Sequence, residues 1–379
     1  MMLAAVASVA LAAPAFAWDF SASGSSSATF KQQTYAPAEG DATTTADFSS
    51  SAGGVTISSS NSDGANSATF SYTADYNSDG DALNFDEYVS VSGSKKVGNW
   101  TASSATTQYM QKDSTAGTPM TSNGSAVITL TDGSITYKLG NAAHLSTAEK
   151  TSDGPMDGTQ DAEASVDAFD GFSVGLGVGP GTLTVALEMG STGSSKGAGD
   201  ATYLGEGTGG GAALTCGAQK TGFGLNFAGD VGADLTFTYG SGSAAMGSGC
   251  TDNASANAAT YSVMGLGVAV PVGAMTIALD YGTNVALWTI DNAQGGSANA
   301  GWEISLVMPV GDATAGVNRS SKATITTEDA VAVDATVKGG TELWYTVPIG
   351  AVSLSAGYGS EAVDGATTTQ IGAEMSMSF

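Results

Sequence analysis

A cluster of oxygen-bearing side chains between positions 75 and 87 has the spacing of a calcium-binding loop. The stretch DYNSDGDALNFDE places carboxylate and amide oxygens at alternate positions, with Gly80 at the bend, and Ca²⁺ prefers such ligands. However, the twelfth position is aspartate rather than glutamate, and no helical periodicity flanks the stretch. Two interpretations remain open, a weak calcium site and a plain acidic turn. The candidate ligands are Asp75, Asn77, Asp79, Asp81 and Asp86.

The composition excludes several classes of function. His144 is the single histidine, so neither a histidine-based triad nor a zinc site of several histidines and cysteines can be assembled. We therefore predict that the chain is not an enzyme. With 36 acidic and 11 basic residues the net charge is −25, and such a chain repels the phosphates of nucleic acid.

The first 17 residues are predicted to be a cleaved signal peptide, which leaves 18–379 as a single domain. The run LAAVASVALAAPAFA is apolar and ends in the A-x-A pattern Ala15-Phe16-Ala17. It lacks the usual opening Lys or Arg, so we expect the true start to lie upstream.

Export fits a disulfide between Cys216 and Cys250, which flank one predicted hairpin near its open end. Two free thiols are the alternative.

The dominant pattern along the chain is a period of two. In TLTVALEM, from position 182, leucine, valine and methionine alternate with threonine, alanine and glutamate. The same alternation recurs from 232, 274 and 302, and one face is consistently small or acidic. This pattern predicts half-buried antiparallel strands and an all-β fold.

The predicted connections alternate between short and long. Tight turns occur at 179–181, 228–232, 271–273, 309–312 and 348–350. Long polar connections occur at 145–171, 190–221, 241–258, 283–298 and 322–339. Short turns at one end and long loops at the other predict a transmembrane antiparallel β-barrel, with apolar residues facing lipid.

Two segments resemble the general porins of Gram-negative bacteria. The last strand, TQIGAEMSMSF, is amphipathic and ends on Phe379, which is similar to the assembly signal of that family. The segment 127–141 resembles the porin strand–turn–strand that precedes the constriction loop. The resemblance implies an outer-membrane location, contact with lipid and lipopolysaccharide, a homotrimer, and insertion by the barrel-assembly machinery.

The strand count depends on how the N-terminal part is interpreted. Eleven strands are predicted after the loop 145–171. The resemblance implies five strands before that loop and so sixteen in total, which we prefer. A direct count over 18–144 gives seven and so eighteen, the alternative. Both totals are even, as single-chain bacterial barrels require.

Under the resemblance, 145–171 is the candidate constriction loop, and its carboxylates would face basic residues on the barrel wall. The chain has only one arginine, Arg319, so we expect a weakly to moderately cation-selective pore for small hydrophilic solutes. The loop acids are Glu149, Asp153, Asp157, Asp161, Glu163, Asp167 and Asp170. The strand phase adds the lumen-facing residues Lys138, Glu188, Asp234, Asp280, Glu303 and Glu374.

Three other interpretations remain. The acids could simply keep the loops hydrated. The chain could be a substrate-specific channel, although it has no arginine cluster for phosphate and no clear aromatic track for sugar. It could also be an exported, calcium-binding surface protein of the S-layer or adhesin type, which would not need the terminal aromatic strand or the alternation of turns and loops.

Overall fold

A computed structural model describes most of the chain, and the described residues form strands joined by turns and irregular segments. These residues are 18–77, 84–111, 125–155, 169–191, 218–246, 259–287, 296–321, 323–328, 331–363 and 366–379. The strands are β1 (Asp19–Ala36), β2 (Thr43–Ser62), β3 (Asn66–Asn77), β4 (Asn84–Val97), β5 (Trp100–Gln111), β6 (Ser125–Thr131), β7 (Ile135–Ala142), β8 (Phe169–Val178), β9 (Gly181–Ser191), β10 (Ala218–Asp230), β11 (Asp234–Met246), β12 (Ala259–Val272), β13 (Met275–Leu287), β14 (Gly296–Val310), β15 (Ala313–Ser320), β16 (Ala323–Glu328), β17 (Val331–Ile349), β18 (Val352–Val363) and β19 (Ala366–Ser378).

The strands form a closed antiparallel barrel of 18 strands. Apart from β15 and β16, strands consecutive in the chain pair with each other, and β1 pairs with both β2 and β19. The segments β15 and β16 both pair with β14 and β17, so they are two parts of one barrel strand. Seven strands precede the loop after β7 and eleven follow it. The preferred total of sixteen is therefore wrong, and the alternative of eighteen is right.

The contacts between Cα atoms divide the chain into two compact units. Unit 1 comprises Met1–Ser27, Ser50–Gly133 and Ser376–Phe379, of which residues 1–17 are not described. Unit 2 comprises Ala28–Ser49 and Ser134–Met375. Among the described residues, no helix is long and apolar enough to span a membrane.

The predicted short turns are present. The strands on either side of each turn pair with each other, as β14 and β15 do around Gly311 and Asp312. Gly311 has a φ of 66°, in the left-handed region that glycine adopts without strain. One predicted long loop is wrong, because much of 322–339 belongs to β16 and β17.

Within unit 1, β2 to β4 expose apolar side chains on one face, and β2 to β5 carry hydroxyl groups on the other. Phe70 and Val91 are exposed and oppose each other across β3 and β4. The alternate positions hold three cross-strand hydroxyl pairs with oxygen–oxygen distances of 2.7 to 2.8 Å. We call this surface the hydroxyl face, and its paired members are Thr56, Thr73, Ser67, Ser94, Ser90 and Thr107.

Within unit 2, the strands alternate between exposed apolar and buried polar side chains. On β14, Trp302 and Ile304 are exposed, whereas Glu303 and Ser305 are buried. On β17, Leu343 and Tyr345 are exposed and Glu342 is fully buried. Because adjacent residues of a strand point to opposite faces, one face of this sheet is apolar and exposed, and the other is polar and covered.

Candidate functional site

The polar face of unit 2 is covered by an extended stretch of the chain that follows β7. Residues 143–155 form no helix or strand, and their polar atoms bind side chains of β8, β10, β11, β13, β14, β15 and β17. We call 143–155 the docking segment and the polar surface beneath it the covered face. Their contacts define the candidate site.

Asp280 on β13 is the main anchor of the docking segment. Asp280 is 1 % exposed. The backbone N–H of Lys150 lies 2.9 Å from each carboxylate oxygen, and Oδ2 also accepts bonds from the N–H of Thr151 at 2.8 Å and its hydroxyl at 2.6 Å. A buried carboxylate is tolerated only with such donors, and bonds to a charged acceptor are stronger than neutral ones.

A second buried carboxylate lies directly opposite Asp280. Glu303 on β14 is its register partner and is also 1 % exposed. Like charges at opposed positions repel each other. The Thr151 hydroxyl lies 2.6 Å from Asp280 Oδ2 and 3.1 Å from Glu303 Oε2, so the docking segment brings a donor between the two acids.

Further contacts hold the docking segment along its length. The Ser146 carbonyl accepts bonds from Thr238 Oγ1 and, at 3.3 Å, from Asn226 Nδ2. Asn318 Nδ2 donates to the Ser152 carbonyl. At the far end, the Gly154 N–H donates to Glu342 Oε2 at 3.1 Å.

The wall beneath the docking segment has small residues where the segment approaches most closely. A Cβ atom at Gly267 on β12 would lie 2.8 Å from Asp280 Oδ1, 2.9 Å from Lys150 Cγ and 3.0 Å from the carbonyl carbon of Ala148. A Cβ atom there would require these groups to shift, so glycine allows the segment to lie close to the wall. Ala148 itself is fully buried.

His144 fixes the start of the docking segment. It is 3 % exposed and packs on Phe169, with the ring centroids 4.6 Å apart. Nε2 lies 2.9 Å from the Gly140 carbonyl, which can only accept, so Nε2 carries the proton. Nδ1 then accepts from the Ser173 hydroxyl at 2.9 Å. Burial lowers the pKa of His144 below its usual 6.5, so the ring is neutral at pH 7.

An ion pair joins the docking segment to the wall. Lys150 Nζ lies 2.9 Å from Asp234 Oδ2 on β11. The Lys138 ammonium on β7 instead lies 3.4 Å from the Ala143 carbonyl. Arg319 is exposed beside the buried Asn318, which places it on the apolar face, where it donates to the Thr341 hydroxyl.

The predicted loop acids are found in different environments. Glu149 is exposed, and Asp153 accepts a bond from Asn318 Nδ2 at 3.0 Å. Asp170 lies within β8 rather than in the loop and accepts a bond from Asn141 Nδ2. The other four acids, Asp157, Asp161, Glu163 and Asp167, lie outside the described residues.

The predicted wall acids are on five strands. Three of them, Asp234, Asp280 and Glu303, contact the docking segment. Glu188 is buried on β9, and Glu374 on β19 accepts a bond from Thr29 at 3.2 Å.

The remaining sequence candidates are only partly described. Asp75 and Asn77 belong to β3 and oppose Asp86 and Asn84 of β4 across the hairpin. Asp79, Asp81, Cys216, Cys250 and the predicted signal peptide lie outside the described residues. Phe379 exchanges two backbone hydrogen bonds with Gly24, of 2.8 and 3.0 Å, beyond the end of β19.

The prediction from sequence missed several residues of the site. Glu342 and Asn318 oppose each other on β17 and β15, and both are fully buried. The alternation of TELWYT, with Leu343 and Tyr345 apolar, would have identified Glu342. It also places Trp344 on the covered face, where the indole lies against Gly316 and Gly154.

The chain is similar in fold to solved structures of a bacterial porin. One triple mutant of the porin of Rhodopseudomonas blastica has a TM-score of 0.46 and 13 % identity, over 95 % of this chain and all of that chain. Another mutant of the same porin has a TM-score of 0.43 and 14 % identity over the same shares. No family model and no curated protein matches the chain.

Proposed function

We propose that the chain forms a water-filled channel in the outer membrane of Gram-negative bacteria, for passive diffusion of small hydrophilic solutes and ions. The observation that carries this proposal is the docking segment on the polar face of a barrel wall whose other face exposes apolar side chains. Soluble proteins rarely expose so many apolar residues together, whereas lipid-facing strands require them. The exposed set includes Leu187, Phe223, Leu279, Trp302, Ile304, Leu343 and Tyr345.

The length of the docking segment favours its position inside the barrel. From His144, bound to β8, to Gly154, bound to β17, the chain spans at most about 35 Å. Strands β8 and β17 are eight strand spacings apart when β15 and β16 count as one, or about 38 Å along the sheet. A segment shorter than the arc that it bridges fits the concave side, where it would narrow the pore.

The charges on the covered face favour cations. Unit 2 has buried carboxylates at Glu188, Asp280, Glu303, Glu342 and Glu361, and the docking segment brings one lysine, Lys150, to them. The arginine of the chain is on the opposite face. One unbalanced charge at ~4 Å in water biases ion entry by about 1 kcal/mol, which salt screens further. We therefore propose a weak to moderate cation preference.

The test is single-channel recording of the purified protein in planar lipid bilayers with a KCl gradient. We expect discrete conductance steps and a reversal potential that shows potassium permeating faster than chloride. Anion preference would contradict the proposed selectivity. Absence of channels would contradict the proposed function and favour the calcium-binding surface protein. The homotrimer, the lipopolysaccharide contact, and insertion by the barrel-assembly machinery through Phe379 remain parts of the proposal.

A further inference from the structure

Lys150 crosses three adjacent strands of the barrel wall. Its backbone N–H binds Asp280 on β13. Its side-chain stem passes over β12 at Gly267, where a Cβ would lie 2.9 Å from Cγ. Its ammonium ends 2.9 Å from Asp234 on β11. The register places Gly267 opposite Asp280, and Asp234 opposite Ala269 of the same strand β12, so the lysine follows a diagonal path that the glycine leaves open.

The two ends of this path differ in exposure. Asp280 is buried, whereas 58 % of the Asp234 side chain is exposed. The carboxylate that meets water is therefore the one that Lys150 neutralises. An exposed carboxylate on the covered face would attract cations, and its ion pair with lysine cancels that charge.

We infer that Lys150 is a selectivity-determining residue, which limits the cation preference of the channel by neutralising Asp234. This inference rests on the proposed function. It reverses the arrangement expected from the porin resemblance, in which loop carboxylates face a basic wall. Here, at Lys150, the acids of the wall meet a lysine ammonium and backbone N–H donors from the described part of the loop, whose own acids are Glu149 and Asp153.

The ammonium can be removed without removing the anchor. The bonds to Asp280 use the backbone N–H groups of Lys150 and Thr151, which a substitution at Lys150 leaves in place. Methionine has an unbranched stem of similar length, so Lys150→Met retains the packing over Gly267 and loses the charge.

The experiment compares four proteins in planar bilayers: wild type, Lys150→Met, Asp234→Asn and the double variant. Lys150→Met leaves Asp234 unpaired, so the potassium-to-chloride permeability ratio should rise roughly two- to five-fold at low salt. Asp234→Asn leaves the ammonium unpaired, so the ratio should fall by a similar factor. The double variant should return close to the wild-type ratio, because the net charge of the pair is again zero.

Controls separate this inference from the proposed function. Lys95→Met makes the same charge change at an exposed position on β4 and should leave the ratio unchanged. The shifts should shrink in 1 M KCl, where the Debye length is about 3 Å. Channels whose ratio is the same in all four proteins, or shifts in the same direction in both single variants, would overturn the inference. A wild-type protein without channels would overturn the proposed function instead.

Discussion

The polar side chains of the hydroxyl face in unit 1 and of the covered face in unit 2 find their hydrogen-bond partners in different ways. Each face is the polar side of an amphipathic sheet. In unit 1, paired hydroxyl groups such as Thr56 and Thr73 donate to and accept from each other across neighbouring strands. In unit 2, carboxylates such as Asp280 and Glu342 can only accept, and they receive donors from the docking segment. The paired hydroxyl groups find their partners on neighbouring strands, whereas the covered face depends on a distant part of the chain.

This difference shows where each unit is vulnerable. A carboxylate that is buried without donors costs far more than a hydroxyl that loses its partner, because the charge has left water. Substitutions at the covered face should therefore lower stability strongly, because they release the docking segment. Substitutions at the hydroxyl face should lower stability only slightly, and their effect should be local.

The largest expected effect comes from removing the anchor at Asp280. Asp280→Ala leaves the N–H groups of Lys150 and Thr151 without their acceptor, which should destabilise the docked state by about 2–4 kcal/mol. Because proteolysis follows the population of the open form, trypsin should cleave after Lys150 about 30- to 700-fold faster. Mass spectrometry of the fragments, with the protein in detergent, measures this rate.

The matched control lies in unit 1. Asp63, in the turn between β2 and β3, accepts bonds from the N–H groups of Ala65 and Asn66. Asp63→Ala should leave cleavage at Lys150 unchanged. Equal cleavage rates in Asp280→Ala and wild type would show that the docking segment does not depend on this anchor.

The next effect is a difference between the units in their response to acid. His144 has a lowered pKa in the folded protein, so the unfolded chain binds the proton more readily and stability falls as the pH drops below about 6.5. The loss should reach at most about 1.4 kcal/mol per pH unit. In unit 1, bonds from Asn66 lower the pKa of Asp63 below its usual 3.8, so its contribution disappears only below that pH.

Thermal unfolding in detergent between pH 8 and pH 5 tests whether protonation of His144 lowers stability in this range. His144→Gln retains a donor for the Gly140 carbonyl and an acceptor for Ser173, and it does not titrate. The wild type should lose stability relative to His144→Gln as the pH falls to 5. Parallel curves for the two proteins would show that His144 does not link docking to pH.

The smallest expected effect is at the hydroxyl face. Thr56→Val removes one member of the pair with Thr73 and should lower the free energy of unfolding by about 0.5–1.5 kcal/mol. The double variant Thr56→Val and Thr73→Val should cost less than the sum of the single changes, because no unpaired hydroxyl remains. Unfolding midpoints of the three variants provide the test, and a cost as large as that of Asp280→Ala would remove the contrast between the two faces.

The alternation and the turns could be predicted from sequence because both are local. The turn glycines and the period of two gave eleven strands after the docking segment, and the direct count of seven before it was also right. The total of sixteen was wrong because it took the number of N-terminal strands from a resemblance rather than from the residues. The segment 322–339 was mistaken for a loop, since its strands contain alanine, threonine and charged residues instead of a strong apolar alternation.

The contacts of the docking segment could not be predicted in the same way. The bond from Lys150 to Asp280 joins residues that are 130 positions apart, and it depends on which strands the segment reaches. Sequence can assign Asp280 to the polar side of its strand, because one neighbour is leucine and the next is tyrosine. It cannot show that the partner is a backbone N–H group of the docking segment.

The anchoring of the docking segment also determines how it would respond to a membrane voltage. The segment contains Glu149, Lys150, Asp153 and a neutral His144, so its net charge is 1 − 2 = −1. A potential of 100 mV does work of about 2.3 kcal/mol on one charge that crosses the whole membrane, and a segment that swings away from the wall crosses only part of it. The Lys150 charge is tied to the wall at Asp234 and the backbone at Asp280. The Asp280 anchor alone should contribute about 2–4 kcal/mol, so a potential of about 100 mV supplies less work than undocking requires. In the proposed channel, the narrow part should therefore keep its width when the voltage changes.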